Sequence, residues 1–252
     1  QLEIIGDYPI AQSLQVLPKK DRLYVLHAGG LNIMDRDSKQ SLASLALVGE
    51  VKLLGLVDLG GTYTLVSVIK NPEARHWEYL LPVELSWDGR SVQKVSDPIA
   101  LPANIEQVSL DELKPRLLLG KGQSVQVFDL MTKTALLPEF PVSGSVVALH
   151  SLENGIRVLQ QDKLTTYVWQ APTVITETSS APLLTRVDRF VILPNKAYLF
   201  VYNKTLAYGN GSKITFKTLP GTLPINISTM TVFSQGIFFF ETNRAKTYFA
   251  NF

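Results

Sequence analysis

Short apolar segments follow one another along the whole chain, and clusters of Gly, Pro, Asn or Asp separate them. The segments are rich in Val, Ile, Leu, Tyr and Phe, as in residues 62–69 and 236–240. Helical periodicity is almost absent. Strand-length apolar runs broken by turn residues every ~8–12 positions are typical of consecutive antiparallel strands. The pattern therefore predicts an all-β domain.

A strand–turn–strand unit recurs within this pattern. Residues 22–35 (RLYVLHAGGLNIMD) and 116–129 (RLLLGKGQSVQVFD) both begin with Arg and end with Asp. Further copies begin at Gly155, Ala197 and Gly236, and a looser copy with a longer loop spans residues 62–80. Supersecondary units that recur about every 40 residues are typical of propeller blades. The spacing predicts a six-bladed β-propeller that occupies residues 1–252 as a single domain.

The segments that flank each unit fit the same architecture. An apolar segment precedes the hairpin, as at residues 51–57, and a more polar one follows it, as at residues 41–47. Radially stacked blades need such inner apolar and outer polar strands. The last unit ends after three strands, so we expect Gln1–Ile5 to join the C-terminal blade, close the ring and cover exposed strand edges. A pair of β-sandwiches, a large barrel or a seventh blade within residues 47–102 are the alternatives.

Two segments carry resemblances to known families. The hairpin that ends in Val125-Gln-Val-Phe-Asp129 and continues Met-Thr-Lys-Thr resembles the blades of quinoprotein-like propellers. Residues 85–89 (LSWDG), followed by 96–99 and by 116–129, resemble the FG-GAP repeats of integrin-like propellers. Both resemblances imply a propeller fold, and neither assigns a functional residue to this chain.

Composition excludes several classes of protein. With 46% hydrophobic and 18% charged residues, the 252-residue chain can bury a substantial core and does not resemble a disordered chain. A net charge of +2 argues against a nucleic-acid partner, whose phosphates require a concentrated basic surface. The absence of cysteine excludes disulfides and thiolate chemistry. No apolar stretch approaches the ~20 residues of a transmembrane segment.

Catalytic and cofactor motifs are also missing from the sequence. There is no Gly-x-Ser-x-Gly segment, and no helical pattern follows the glycines at residues 29–30 and 120–122, so these glycines indicate hairpin turns. A histidine metal site requires close spacing along a strand or helix, which the three histidines do not have; they are His27, His76 and His150. We predict no catalytic residue, no bound metal and no cofactor, and we favour a protein that is not an enzyme.

Three carboxylates support an alternative. Asp58, Glu106 and Asp188 could project from inner strands toward a central channel, where carboxylate oxygens would suit a calcium ion. This alternative is a metal-dependent propeller hydrolase or lactonase. The competing interpretation is that each carboxylate accepts hydrogen bonds from the backbone of its own turn.

The turns between the second and third strands of the units are rich in basic residues. In a propeller these hairpin tips would share one face, where a modest positive charge could steer a partner protein, an acidic protein being one candidate. The predicted partner-binding residues are Arg75, His76, Lys121, Lys163, Lys204, Arg244 and Lys246. The tryptophans at 77, 87 and 169 lie on or beside third strands, where packing between blades explains them equally well as an interface.

The sequence therefore predicts a non-catalytic propeller that binds proteins or acts as a scaffold. A lectin-type propeller ranks lower, because the tips differ too much between units to form repeated sugar sites. A first residue other than Met, the absence of cysteine and the style of repeat favour a periplasmic or extracellular protein of a bacterial envelope or secreted assembly.

Overall fold

The computed structural model describes residues 13–111, 114–171 and 174–183, together with the strands at 189–192, 198–202, 205–210, 213–218, 227–233, 236–241 and 246–251. Side-chain surroundings are described within residues 14–180 of these ranges and for residues 182 and 183. Every regular element in these residues is a β-strand. No described helix has the length and hydropathy needed to cross a bilayer.

The described residues between 13 and 141 form three antiparallel sheets. Sheet 1 contains β1 (Ser13–Lys19), β2 (Arg22–His27), β3 (Gly30–Asp35) and β4 (Ser41–Ala46). Sheet 2 contains β5 (Glu50–Asp58), β6 (Tyr63–Lys70), β7 (Trp77–Leu85), β8 (Val92–Val95) and β9 (Ile99–Ile105). Sheet 3 contains β10 (Gln107–Asp111), β11 (Arg116–Lys121), β12 (Ser124–Asp129) and β13 (Thr134–Pro141).

The remaining described strands form three further sheets of the same kind. Sheet 4 contains β14 (Val146–Leu152), β15 (Gly155–Gln160), β16 (Lys163–Ala171) and β17 (Val174–Pro182). Sheet 5 contains β18 (Arg189–Ile192), β19 (Tyr198–Tyr202), β20 (Thr205–Asn210) and β21 (Lys213–Thr218). Sheet 6 contains β22 (Ile227–Phe233), β23 (Gly236–Glu241) and β24 (Lys246–Asn251).

The first strands of the sheets lie side by side. β5 contacts β1 and β10, β14 contacts β10 and β18, and β22 contacts β18 and β1. The predicted strand at Gln1–Ile5 lies outside the described residues. Residues 47–102, where a seventh blade was an alternative, contribute strands to sheet 2 alone.

Sheet faces pack against one another, which explains why the middle strands are apolar throughout. In β11, Leu117 and Leu119 pack in a cluster with sheet 2, while Leu118 packs in a cluster with sheet 4. All three leucines are fully buried. A strand covered on both faces requires a continuous apolar run, whereas a half-buried strand alternates. The core therefore consists of layers between successive sheets.

The Asp that ends the third strand has the same role in sheets 1 and 3. Asp35 Oδ1 accepts hydrogen bonds from the backbone N–H groups two and three residues ahead, at 3.1 and 2.8 Å, and from the Ser38 hydroxyl at 3.0 Å. Asp129 Oδ1 does the same at 2.8 and 2.7 Å, with the Thr132 hydroxyl at 3.2 Å. These side chains fix the turn before the outer strand. The repeated Asp in the sequence therefore has a structural cause.

Sheet 2 differs from the others in its fifth strand. β8 pairs with the end of β7 at residues 83–85, and β9 pairs with its beginning at Trp77, Tyr79 and Leu80. The outer edge of β7 is thus shared between two short strands. The second of these strands leads directly to β10 of sheet 3.

Candidate functional site

The hairpin tips lie at the ends of the second and third strands, as the sequence predicts. Arg75 and His76 occupy the turn between β6 and β7, Lys121 ends β11, and Lys163 begins β16. We call the surface that these tips form the tip face. Lys204 and Arg244 lie outside the described residues. Lys246 begins β24, and its side chain is not among those described.

Carboxylates from other parts of the chain lie close to the basic groups of the tip face. They come from the start of β5, from the outer strand β13 and from the residue before β10, so a count of charges within the tips omits them. Exposed pairs of this kind contribute little to stability, but they reduce the local positive charge. The pairs are Lys70 Nζ with Glu50 Oε2 at 3.2 Å, Lys121 Nζ with Glu139 Oε2 at 3.7 Å, and His76 Nε2 with Glu106 Oε1 at 3.7 Å.

A shallow cleft on the tip face brings Arg75 and His76 together. It has a volume of about 370 Å³ and is lined by residues 74–79 of the β6–β7 hairpin and residues 100–104 of β9. Trp77 belongs to this cleft, and the Lys70 ammonium lies 5.5 Å from the centre of its ring. Trp77 is therefore engaged by its own hairpin through a cation–π contact.

A larger cleft lies at the opposite ends of the strands, between sheets 1 and 2. Its volume is about 530 Å³. We call it the Trp87 cleft, after the side chain that projects furthest into solvent, with 93% of its surface exposed. The interpretation of Trp87 as packing between blades is wrong, because the residue lies on the β7–β8 turn. The lining residues are Lys19, Lys20, Arg22, Tyr63, Trp87, Asp88 and Arg90.

The turn that carries Trp87 is held in place by a dense set of hydrogen bonds. The Ser86 hydroxyl donates to Asp88 Oδ1 at 2.6 Å and accepts from the backbone N–H groups of Arg90 and Ser91 at 3.1 and 3.0 Å. From the neighbouring sheet, the buried Tyr24 hydroxyl donates to the Gly89 carbonyl at 3.0 Å. These hydrogen bonds fix the backbone of the turn that presents Trp87.

Glycine is required at position 89 by both conformation and space. Its φ is +69°, a left-handed conformation that residues with a Cβ rarely adopt. A Cβ at this position would lie 2.6 Å from the Tyr24 hydroxyl oxygen and 2.7 Å from Arg22 Nη1. The turn can approach sheet 1 this closely because residue 89 has no side chain.

Four cations line the Trp87 cleft, whereas Asp88 is the one carboxylate among its lining residues. Asp21 lies behind them, 3.1 Å from Arg22 and 3.3 Å from Arg90. Hydrogen bonds from the Ser86 hydroxyl and the Arg90 N–H lower the pKa of Asp88. Burial opposes ionisation of Asp21, but its own backbone N–H and the two arginines lower its pKa overall. Both carboxylates are ionised at neutral pH, and the cleft keeps a net positive charge.

A third group of ionisable residues lies between sheets 3 and 4, where Asp111 and Arg116 are buried and His150 and Arg157 are half-buried. Arg116 Nε donates to Asp111 Oδ2 at 2.7 Å, and the guanidinium carbon lies 4.6 Å from the centre of the Trp169 ring. His150 and Arg157 are opposite one another in the β14–β15 register, and Arg157 Nε donates to the Thr166 hydroxyl at 3.3 Å. We call Asp111, Arg116, His150, Arg157 and Trp169 the Arg116 cluster.

Acidification is expected to destabilise the fold through His150. Burial, together with the positive charge of Arg157, lowers its pKa from 6.5 to about 4. Between these values the unfolded chain binds a proton that the folded chain does not, so stability falls as the pH falls. Because the ring keeps some exposed surface, we expect a loss of ~2 kcal/mol.

Urea unfolding of the wild-type chain and of His150→Gln, each at pH 7 and at pH 4.5, tests this expectation. Between pH 7 and pH 4.5, the free energy of unfolding should fall further in the wild-type chain than in His150→Gln. Parallel losses of stability in the two proteins would show that His150 is not responsible.

The carboxylates of the metal-site alternative do not converge in the described residues. Asp58 is exposed at the end of β5, where its Oδ1 accepts a hydrogen bond from the Gly61 N–H at 2.6 Å. Glu106 precedes β10 and lies beside His76, at the tip face. Lys52, near the start of β5, donates to the Val108 carbonyl near the start of β10 at 3.2 Å. Asp58 and Glu106 are thus at opposite ends of neighbouring strands, and Asp188 lies outside the described residues.

Two solved structures with the same arrangement of sheets cover most or all of this chain. The β-propeller domain of Cps50 (Swd1) from Myceliophteria thermophila aligns over 100% of both chains, with a TM-score of 0.65 and 11% identity. Raptor from Chaetomium thermophilum aligns over 94% of this chain and 23% of its own, with a TM-score of 0.65 and 12% identity. The fold is a β-propeller. At these identities, the likeness shows the fold alone.

A third propeller was solved with another protein bound. BBS1N, in complex with ARL6DN, aligns over 94% of this chain and 76% of its own, with a TM-score of 0.59 and 11% identity. No protein-family model matches the sequence, and no curated protein matches it. The functional argument for this propeller therefore depends on its own surfaces.

Proposed function

We propose that this propeller is a non-catalytic module that binds a protein partner. The observation that carries the proposal is Trp87, which is 93% exposed on a fixed turn beside a cationic cleft. Large aromatic and Arg side chains dominate the energetic centres of protein interfaces. A tryptophan in this position has no role in packing its own domain.

Two further points support a binding role. Among the described residues, Asp58 and Asp129 accept hydrogen bonds within their own turns, and Glu106 lies beside His76 at the tip face. BBS1N, a propeller of similar structure, forms a complex with ARL6DN. Fold analogy of this kind does not identify a partner, so the argument depends mainly on the cleft.

The tip face is a second candidate surface for the same function. Its basic residues were predicted from sequence as a site for a protein partner, an acidic one among the candidates. Arg75 remains exposed there, while Lys121 and His76 lie near carboxylates. A scaffold role in a bacterial envelope or secreted assembly, in the periplasm or outside the cell, stays a prediction from the sequence. The Asp-initiated turns of sheets 1 and 3 support a quinoprotein-like repeat.

The proposal is tested by recovering a partner on the intact chain and then measuring its affinity as a purified protein. We expect Trp87→Ala to weaken binding more than tenfold, about 1.4 kcal/mol, because the exposed ring contributes to the interface. Lys121→Glu and Lys163→Glu serve as tip-face variants. If these two variants lose affinity and Trp87→Ala does not, the partner binds at the tip face instead.

The thermal unfolding midpoint should stay unchanged in Trp87→Ala, because the side chain has few contacts within the domain. This control separates a lost interface from a lost fold. A chain that retains no protein partner at micromolar concentration, or a partner that binds equally well to every surface variant, would contradict the proposed function.

A further inference from the structure

We infer that the Trp87 cleft takes an acidic peptide segment of the partner protein, with an apolar side chain of that segment against the Trp87 ring. This inference rests on the proposed function and specifies the surface and the chemistry of its ligand. Three features of the cleft support it: its charge, its shape and its one exposed aromatic ring.

The cations of the cleft differ in whether they pair with carboxylates of the protein itself. Arg22 and Arg90 both pair with Asp21, at 3.1 and 3.3 Å, and Arg90 also lies 3.8 Å from Asp88, so these pairs orient the two guanidinium groups in the wall of the cleft. Lys20 is exposed at the apex of the β1–β2 turn, with φ +54°, and forms no ion pair within the described residues. Fixed guanidinium groups and a free ammonium together present donors to a carboxylate ligand.

The shape of the cleft favours an extended segment. It lies between two turns of adjacent sheets, and its volume of about 530 Å³ falls within the range of binding pockets that receive a few side chains. Trp87 forms one side of the cleft, so a bound segment would lie across the lysines and arginines while one of its side chains contacts the ring.

A protein segment fits this cleft better than a phosphate-bearing ligand. Asp88 is part of the lining, and a peptide can offer its carboxylate a backbone N–H donor, which a phosphodiester group lacks. Proteins that bind single-stranded nucleic acid usually stack successive bases on several aromatic rings, whereas Trp87 is the one exposed ring among the residues that line this cleft. The four cations favour an anionic ligand, and the N–H donor that Asp88 can accept favours a peptide, so together they favour an acidic peptide segment.

A display library of random 12-residue peptides, panned on the intact chain and counter-selected on Trp87→Ala, tests the inference. We expect enriched peptides to carry net negative charge and at least one large apolar residue. As synthetic peptides, they should change the tryptophan fluorescence of the chain. Their affinity should fall more than tenfold in Lys20→Glu and should weaken with added salt.

Lys133→Glu is the matched control. Lys133 is also an exposed lysine at a left-handed turn position, with φ +59°, but it lies on the β12–β13 turn of sheet 3. Affinity in this variant should stay within twofold of the wild-type value. Lys20→Glu and Lys133→Glu make the same charge change at the same backbone conformation. A difference in peptide affinity between them therefore reports the contribution of the cleft alone.

Several results would overturn the inference: an empty selection, enriched peptides without negative charge, or equal effects of the two lysine variants. Two competitors are also tested, an oligothymidylate and vesicles of anionic phospholipid. The inference would be overturned if either competitor displaced the peptides from the wild-type chain and failed to bind Lys20→Glu. If the recovered partner binds Trp87→Ala normally but not Lys121→Glu, this inference fails while the proposed function stands.

Discussion

Replacing Arg116 with Met is expected to lower the free energy of unfolding by about 3 kcal/mol, the lower end of the cost of removing one member of a buried ion pair. The Asp111 side chain is 1% exposed and that of Arg116 is 7% exposed, and the two are joined by a hydrogen bond of 2.7 Å. The variant would leave the Asp111 carboxylate without this donor. It would also remove the guanidinium from the face of Trp169.

Urea unfolding of the wild-type chain and of Arg116→Met measures the difference in their free energies of unfolding. Arg36→Met is the matched control, because Arg36 and Asp37 form a 3.3 Å pair in which Asp37 is exposed. Such a pair is worth less than about 1 kcal/mol. The double variant Arg116→Met with Asp111→Leu should recover much of the loss, since both charges are then removed. If Arg116→Met and Arg36→Met lose equal amounts of unfolding free energy, the buried pair contributes no more to stability than the exposed pair.

Alanine at Gly155 is expected to cost about 3 kcal/mol, at the upper end of the range for inserting a methyl group into a packed site. Gly155 begins β15, and a Cβ there would lie far inside van der Waals contact with the Tyr167 carbonyl oxygen and against Val168 Cα. Both are backbone atoms of the adjacent strand β16. The steric clash can therefore be removed only if β15 and β16 move apart, which would weaken the hydrogen bonds between them.

Gly144→Ala is the control for this effect. It lies just before β14, and a Cβ there would meet its nearest atoms at 3.7–3.9 Å, an ordinary contact distance. We expect Gly144→Ala to have an effect of less than about 1 kcal/mol, because alanine also lowers the entropy of the unfolded chain. Denaturant midpoints of the two variants check the prediction. Similar midpoints would mean that β15 and β16 adjust to the added methyl group.

The hairpins could be predicted from the sequence because their signals are local. The predicted unit at residues 22–35 corresponds to β2 and β3, and that at 116–129 corresponds to β11 and β12. The apolar runs and the Gly or Asp turn residues that define these units lie within a few positions of one another. β9 was not predicted, because its sequence IALPANI lacks a strand pattern and its partner, β7, lies on the far side of β8.

The candidate site was less accessible to sequence reasoning. In sheets 2, 3 and 4 the hairpin tips lie where the sequence predicts them. The carboxylates beside them depend on strand register, since Glu139 is 18 residues after Lys121 and comes from another strand. The Trp87 cleft needs sheets 1 and 2 side by side, so no linear motif marks it. One signal was available, because the Asp88-Gly89 pair is typical of a tight turn, and a tryptophan just before it is expected to be exposed.

The fifth strand of sheet 2 has a consequence for how this propeller opens. Successive blades usually exchange side-chain contacts, so each can loosen with some independence. Here the chain runs back along the outer edge of β7 as β8 and then β9, and Glu106 alone separates β9 from β10. β9 also contacts β11 of sheet 3. Separation of β9 from β7 should therefore disturb sheet 3 as well, and we expect the amide protons of sheets 2 and 3 to exchange with solvent as one cooperative unit.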